Sequence, residues 1–163
     1  MGRGRGTLLS AVHVECGKAV ALRLMSPAIV PAKAVAQFRR EARVLAQLET
    51  EHVARIMDVG TLPDGTLYLA RELLQGTRLD EHVREKGGLA LRDALLLFVQ
   101  ICEAVAEAHS RGVVLRGLRA SSIYLVRRRN GELVAKLADV GTCKVMDADL
   151  QQSMTRMTTL RSS

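Results

Sequence analysis

The stretch Val113–Gly141, VVLRGLRASSIYLVRRRNGELVAKLADVG, constrains this chain more than any other. Two short apolar runs, Ile123–Val126 and Leu133–Leu137, flank a basic segment that ends in Asn130-Gly131. Asn-Gly between β-prone runs marks a hairpin, because both residues tolerate positive φ. A loop, Leu115–Ser122, precedes the hairpin. Asp139-Val140-Gly141 follows it, an acidic residue released from a strand end onto a glycine.

Upstream, Gly2, Gly4 and Gly6 open the chain, and Leu8–Val14 reads as a strand. Gly17 and Lys18 make a turn into a second strand, Ala19–Met25. Glycines beside strands let backbone amides approach phosphate closely. Ser26-Pro27 and Pro31 break the chain before a helix over Ala32–Leu48, in which Phe38, Ala42, Leu45 and Leu48 recur on one face. Glu41 lies beside that face, with Arg39, Arg40 and Arg43 nearby. Val53–Val59 and Leu67–Leu74 read as strands joined by a Pro63-Asp64-Gly65 turn. After Gln75-Gly76, Thr77 is placed to cap a short helix, Arg78–Lys86, which Gly87-Gly88 stops. Leu91–Ser110 is the clearest helix. Leu91, Leu95, Phe98, Cys102 and Val105 form one stripe; Ala94, Leu97, Ile101, Ala104 and Ala108 form another. Two apolar stripes predict a helix buried on much of its circumference, with Cys102 in the core.

Composition limits the rest. Aromatic residues are 2% against 48% hydrophobic, so the core must be aliphatic. The net charge of +7 favours anionic partners without choosing among them. Arg127–Arg129 decorates a hairpin tip, and no aromatic platform accompanies it, which argues against a nucleic-acid-binding module. Cys16, Cys102 and Cys143 stand far apart without metal-ligand spacing, so neither a disulfide framework nor zinc is expected, nor haem. No apolar segment approaches the roughly 20 residues that span a bilayer, and no secretory signal is read, so a cytoplasmic location is expected.

The order of elements and the local sequence resemble the bacterial Ser/Thr protein kinase family. VALR at Val20–Arg23 is similar to the strand that carries the phosphate-binding lysine. FRREARVLAQL at Phe38–Leu48 resembles the regulatory helix, with Glu41 as its ion-pair glutamate. LYLARELLQG at Leu67–Gly76 resembles the strand and hinge that contact adenine. AHSRGVVLRGLRASSIYL resembles the helix end, catalytic loop and following strand, and KLADVG the metal-binding segment. The resemblance implies an α+β, protein kinase-like fold, truncated after the activation segment. Residues 1–76 would form the sheet-and-helix lobe with helix 32–48. Residues 77–149 would form a partial second lobe with helix 91–110 and hairpin 123–137, and 150–163 a polar tail. Ser153, Thr155, Thr158 and Thr159 in that tail fall where activation-segment phosphorylation would occur.

The resemblance also assigns a site, and the site departs from the family. By position, the nucleotide would meet Gly6, Leu8, Ala21, Arg23, Glu41, Glu72, Leu74 and Tyr124. The catalytic aspartate position is Gly117, the lysine two residues on is Arg119, and the metal-binding asparagine is Ser122. Gly117 has no side chain to accept a proton, and loss of a positioned acid–base group costs roughly 10²–10⁴-fold in rate. Arg23 keeps the charge of the usual lysine in a longer, planar fork. Asp139 remains as a weak magnesium ligand. Arg71 stands where the family guards the pocket behind adenine, and is expected to seek Glu41 or Asp139. The family's internal columns would contain Leu45, Ile56, Leu115 and Val140, and Leu8, Ala21 and Tyr124. Packing residues are kept while polar catalytic groups are missing, the pattern of a pseudokinase. The implied function is a catalytically impaired kinase-like domain that holds ATP and Mg²⁺ weakly, and binds a protein partner over the exposed face of helix 91–110. An active Ser/Thr kinase is the alternative, and a basic nucleic-acid-binding module the second.

Overall fold

In a computed structural model, residues 7–26, 32–116, 118–138 and 143–145 are described. Within those ranges, the side chains of residues 32–34, 37, 41 and 143–145 are not. The first sheet has β1 (Thr7–Val12), β2 (Ala19–Met25), β3 (Ile56–Thr61) and β4 (Leu67–Glu72). Its order is β1-β2-β4-β3, and every pairing is antiparallel. β1 stops at Val12, short of the expected Val14, because His13 N donates to Lys18 O at 2.9 Å and starts the turn. Gly17 takes φ 64 in that turn, a conformation that L side chains rarely adopt.

The helix α1 covers Ala32–Leu45 and not the expected Ala32–Leu48. Beyond Leu45 the chain tightens, with Gln47 N donating to Val44 O at 3.1 Å and Leu48 N to Leu45 O at 3.2 Å. Leu48 nevertheless packs against the core, so its apolar spacing was informative about burial and not about helix length. β3 likewise starts at Ile56 and not at Val53, since Val53 forms a parallel bridge with Leu137.

A second sheet has the order β5-β7-β8, from β5 (Gly76–Arg78), β7 (Ile123–Arg127) and β8 (Leu133–Leu137). β5 corrects the reading of Thr77 as a helix cap. Thr77 pairs with Leu125, so its backbone belongs to a ladder, and α2 runs Leu79–Lys86 with no side-chain cap. Arg78 occupies the cap position and bonds Asp80 in the first turn through Nε at 3.1 Å and a terminal nitrogen at 2.9 Å. The close β5–β7 approach needs Gly76, where an added Cβ would lie 2.4 Å from Leu125 O.

The hairpin β7–β8 forms as predicted, but through a longer loop. Arg128 N donates to Glu132 O and Gly131 N to Arg128 O, both at 2.9 Å. Gly131 alone takes positive φ, 86, while Asn130 does not. Asn130 Oδ1 instead accepts the Glu132 N–H at 3.1 Å. A third pairing joins β6 (Val113–Leu115) antiparallel to β9 (Cys143–Val145).

α3 spans Leu91–Ser110, as the sequence predicts. Its burial is narrower than predicted. Leu97, Ala104 and Ala108 are buried against β8 and β6, whereas Leu91 is 77% exposed and Phe98 64%. Cys102 is exposed too, which corrects its assignment to the core. Only the stripe containing Leu97 and Ala104 faces the sheet; there Val53, Ile123, Leu125, Ala135 and Leu137 complete an aliphatic core.

The two sheets are locked through the segment after α1. Leu137 N donates to His52 O and Ala54 N to Leu137 O, each at 2.8 Å. His52 is buried, and its Nδ1 donates to Ala135 O at 3.1 Å. The Glu107 carboxylate on α3 accepts the Glu49 and Thr50 amides at 2.7 and 2.8 Å. Burial pulls the Glu107 carboxyl upward, but those amides and Arg111 outweigh it, so its pKa lies below the ordinary glutamate value. A carboxyl with a depressed folded pKa stabilises above its unfolded pKa, and loses that contribution as pH falls through the folded value. Glu107→Gln should therefore lower stability at pH 7 by about 1–2 kcal/mol in urea titrations, and the deficit should shrink below about pH 4. Gly76→Ala should lower stability by about 1–3 kcal/mol through the clash with Leu125, read by the same titration.

Candidate nucleotide site

Strand register determines which predicted residues share a face, because directly opposed residues project to the same side. Leu8 is opposite Arg23, and Arg23 opposite Leu69; Ala21 is opposite Ser10 and Arg71. Leu8, Ala21, Arg23 and Arg71 therefore line one face of the first sheet. Arg23 and Arg71 are diagonal neighbours on adjacent strands, and both are half-buried. Ala21 is buried and Leu8 half-exposed, so the face offers an apolar end beside a cationic one.

Tyr124 lies on the second sheet, on β7. Ile123 and Leu125 enter the core, so Tyr124 takes the other face, opposite Lys136 and Arg78. Lys136 reaches across to the first sheet, where its Nζ donates to both Glu72 oxygens at 2.8 Å. The Glu72 side chain is thereby committed to a bridge between the sheets. Arg55 N also lies 3.4 Å from it, and Glu72 N donates to Arg55 O at 2.8 Å. Leu74 is half-buried in the connection between β4 and β5.

The loop before β7 ends in a single 3-10 turn, Ala120–Ser122. Ser122 is buried, donates through Oγ to Arg119 O at 2.7 Å, and accepts the Arg119 N–H at 3.1 Å. Its backbone oxygen accepts the Ala138 N–H at 2.8 Å, which fixes the chain up to the residue before Asp139. The hydroxyl closes the loop on itself and does not fit the role of a metal ligand. Gly6, Gly117 and Asp139 lie outside the described residues, and Glu41 is described only as part of α1. Among the described residues, no group of three or more His, Cys, Asp or Glu could hold a metal ion.

The predicted apolar columns are partly assembled. Leu45, with Ala108 and Val113, forms a cluster against which Ile56 and Leu115 pack. Val140 lies outside the described residues. Leu115, apolar where the resembled family has histidine, also packs against the main core.

A family model described as protein kinase domain matches residues 1–161. The chain belongs to the protein kinase family. It is 32% identical over 155 residues to the serine/threonine-protein kinase Pkn1 of Myxococcus xanthus, covering 94% of this chain and 22% of that protein. It is 31% identical over 140 residues to the serine/threonine-protein kinase PkaA of Streptomyces coelicolor, covering 85% of this chain and 25% of that protein. Against the serine/threonine-protein kinase PknH of Mycobacterium bovis it is 30% identical over 161 residues, or 98% of this chain and 26% of that protein. These three relatives are bacterial Ser/Thr kinases, and the chain spans 22% to 26% of their length. Kinase domains transfer phosphate from ATP with magnesium in general. Among the described residues, no helix is long and apolar enough to cross a membrane.

The sequence reading missed Lys136, His52, Gln100 and Glu107. Gln100 Oε1 accepts the Ala135 N–H at 2.8 Å on the edge of the hairpin. The only signal available was a polar side chain next to an apolar run, which is common on any surface. Their role depends on partners 35 to 83 positions away. Ser122→Ala should cost about 1–2 kcal/mol in denaturant titration, since the Arg119 amide loses its acceptor. The same variant should leave any ATP-induced thermal shift unchanged, because the hydroxyl is spent on the loop.

Proposed function

We propose that this chain is a catalytically impaired kinase-like domain that acts by binding, with ATP held weakly and magnesium contributing little. One observation carries the reading. Gly117 stands at the family's catalytic aspartate position, and the hydroxyl of Ser122, at its metal-binding asparagine position, is committed to Arg119. Transfer needs the attacking hydroxyl to be oriented toward an acceptor carboxylate, and Gly117 supplies none.

The adenine end of a nucleotide fits the residues better than the metal does. Leu8, Ala21 and Tyr124 offer apolar contact, Leu74 lies in the hinge, and Arg23 offers charge to phosphate oxygens. A bound nucleotide would supply a transferable phosphoryl group, but Ser122 does not fit as a magnesium ligand beside it. Arg71 beside Arg23 adds positive charge to the face that the phosphates would approach. Leu45, Ile56 and Leu115 keep the packing of a kinase domain without needing the reaction.

Incubation with labelled ATP and a generic protein acceptor should give no transfer above a blank, to that protein or to the chain itself. The Gly117→Asp, Ser122→Asn, Arg23→Lys variant provides the comparison. Transfer by the unmodified chain, abolished by Asp139→Ala, would establish an active kinase instead. Binding is tested separately by thermal shift. ATP at its dissociation constant should raise Tm by about 1–2 °C, with little further gain on adding magnesium. No shift at millimolar ATP removes the nucleotide from the proposal.

A further inference from the structure

The hydroxyl of Thr61 is held by a cation. Thr61 is the last residue of β3, an edge strand of the first sheet, and it is exposed. A terminal nitrogen of Arg39, on α1, donates to Thr61 Oγ1 at 2.6 Å. Thr66, Ser110 and Ser122 bond in the opposite sense. Their hydroxyls donate, to Asp64 Oδ2 at 3.0 Å, Glu107 O at 2.7 Å and Arg119 O at 2.7 Å.

The sense of the bond decides what each hydroxyl can become. A phosphate ester carries about −1.5 to −2 charge at pH 7, and its free oxygens act as acceptors. At Thr66 it would face a carboxylate, and at Ser110 and Ser122 a carbonyl oxygen. At Thr61 it would face a guanidinium already in place, and a bond to a neutral hydroxyl would become a charge-assisted one.

The surroundings of Thr61 agree with that charge. Arg43 is exposed one turn along α1 from Arg39, on the same side of the helix. The nearby carboxylates are engaged elsewhere. Asp64 accepts the Thr66 N–H at 2.8 Å as well as the Thr66 hydroxyl. Asp58 lies three residues before Thr61 along a regularly paired stretch, hence on the other face of the sheet, where it accepts the Tyr68 hydroxyl at 2.8 Å.

We propose that Thr61 is a phosphorylation site, at which another Ser/Thr kinase places a phosphate that Arg39 captures, clamping α1 to the edge of the first sheet. In the transfer, Thr61 Oγ1 forms a bond to the γ-phosphorus of ATP. The bond from that phosphorus to the bridging oxygen breaks, ADP leaves, and the hydroxyl proton passes to the carboxylate base of the modifying kinase. Because α1 carries Glu41, the modification would fix the helix that bears the position of the ion-pair glutamate. The site is separate from Ser153, Thr155, Thr158 and Thr159. It rests on the proposed function only in assigning the transfer to a different kinase.

The 163-residue chain with phosphothreonine placed at position 61 during translation tests the capture. Near neutral pH its Tm should exceed that of the unmodified chain by about 2–4 °C. The second ionisation of a phosphate lies near about pH 6, and Arg39 lowers it in the folded chain. The gain is therefore full above about pH 6 and declines as pH falls through the folded value. Arg39, Arg40 and Arg43 stay charged over this range, and the Thr66 amide and hydroxyl hold the Asp64 carboxyl below its ordinary value, so the decline reports the phosphate. Arg39→Ala should remove the gain, and Arg39→Lys should keep part of it. No gain, or a gain that survives Arg39→Ala, overturns the proposal. Phosphopeptide mapping of the chain from the cells that make it should find phosphate on Thr61, and an unmodified Thr61 there overturns it too. The capture is measured without any transfer by this chain, so its failure is distinct from that of the impaired-enzyme reading, which the labelled-ATP assay decides.

Discussion

The fold depends on the hydrogen bonds between residues 52–54 and β8. Leu137 exchanges backbone bonds with His52 and Ala54, and the buried His52 ring holds Ala135 O. A buried amide left without a partner costs about 1–3 kcal/mol, so this short segment is committed to β8 once α3 covers it. From there α1 is held by its own C-terminal segment, whose Glu49 and Thr50 amides end on Glu107 of α3. Lys136, on the same strand as Leu137, then reaches Glu72 at the end of β4. Strand β8 thus carries the attachments of both sheets, and Asp139 follows two residues beyond it.

This arrangement would let a kinase frame persist under the proposed loss of its chemistry. The contacts that hold the frame are aliphatic clusters, backbone bonds and side-chain bridges such as Lys136–Glu72 and Glu107 with the Glu49 and Thr50 amides. Leu45, Ile56 and Leu115 pack together whatever stands at position 117. Ser122 illustrates the distinction at one residue. At a position that the family uses for a metal ligand, its hydroxyl is spent on the Arg119 backbone, and loop closure is retained. In the proposed site Arg23 and Arg71 would add charge to the face that the nucleotide meets, and neither would replace an acceptor at Gly117.

Much of the architecture was legible in the chain. The helix Leu91–Ser110, the strand Ala19–Met25 and the hairpin Ile123–Leu137 rest on local signals, namely apolar period and turn chemistry, and they emerged at or near their predicted bounds. Errors fell where a residue's backbone had a distant claimant. Thr77 was locally a good helix cap, but Leu125 took it into a ladder. Leu48 continued an apolar spacing after the helix had ended, because the core still needed its side chain. Cys102 lay on an apolar stripe of the right period, yet period alone does not say on which sides of a helix neighbours stand. Of the candidate site, the sequence supplied expected positions, of which Gly6, Gly117 and Asp139 lie outside the described residues; the long-range partner of Glu72 was not visible in it.

The sequence by itself determined the family, because motif order is a property of the chain alone, and it supplies the residue at position 117 on which the proposed impairment rests. Tertiary structure decided which face of α3 is covered, that Glu72 is tied to Lys136, and that Ser122 closes its own loop. The first two outcomes depend on pairings between residues far apart in sequence, and the third on a contact three residues away whose geometry the loop decides. Local propensity and period fix what a segment can become, and only packing fixes what it meets.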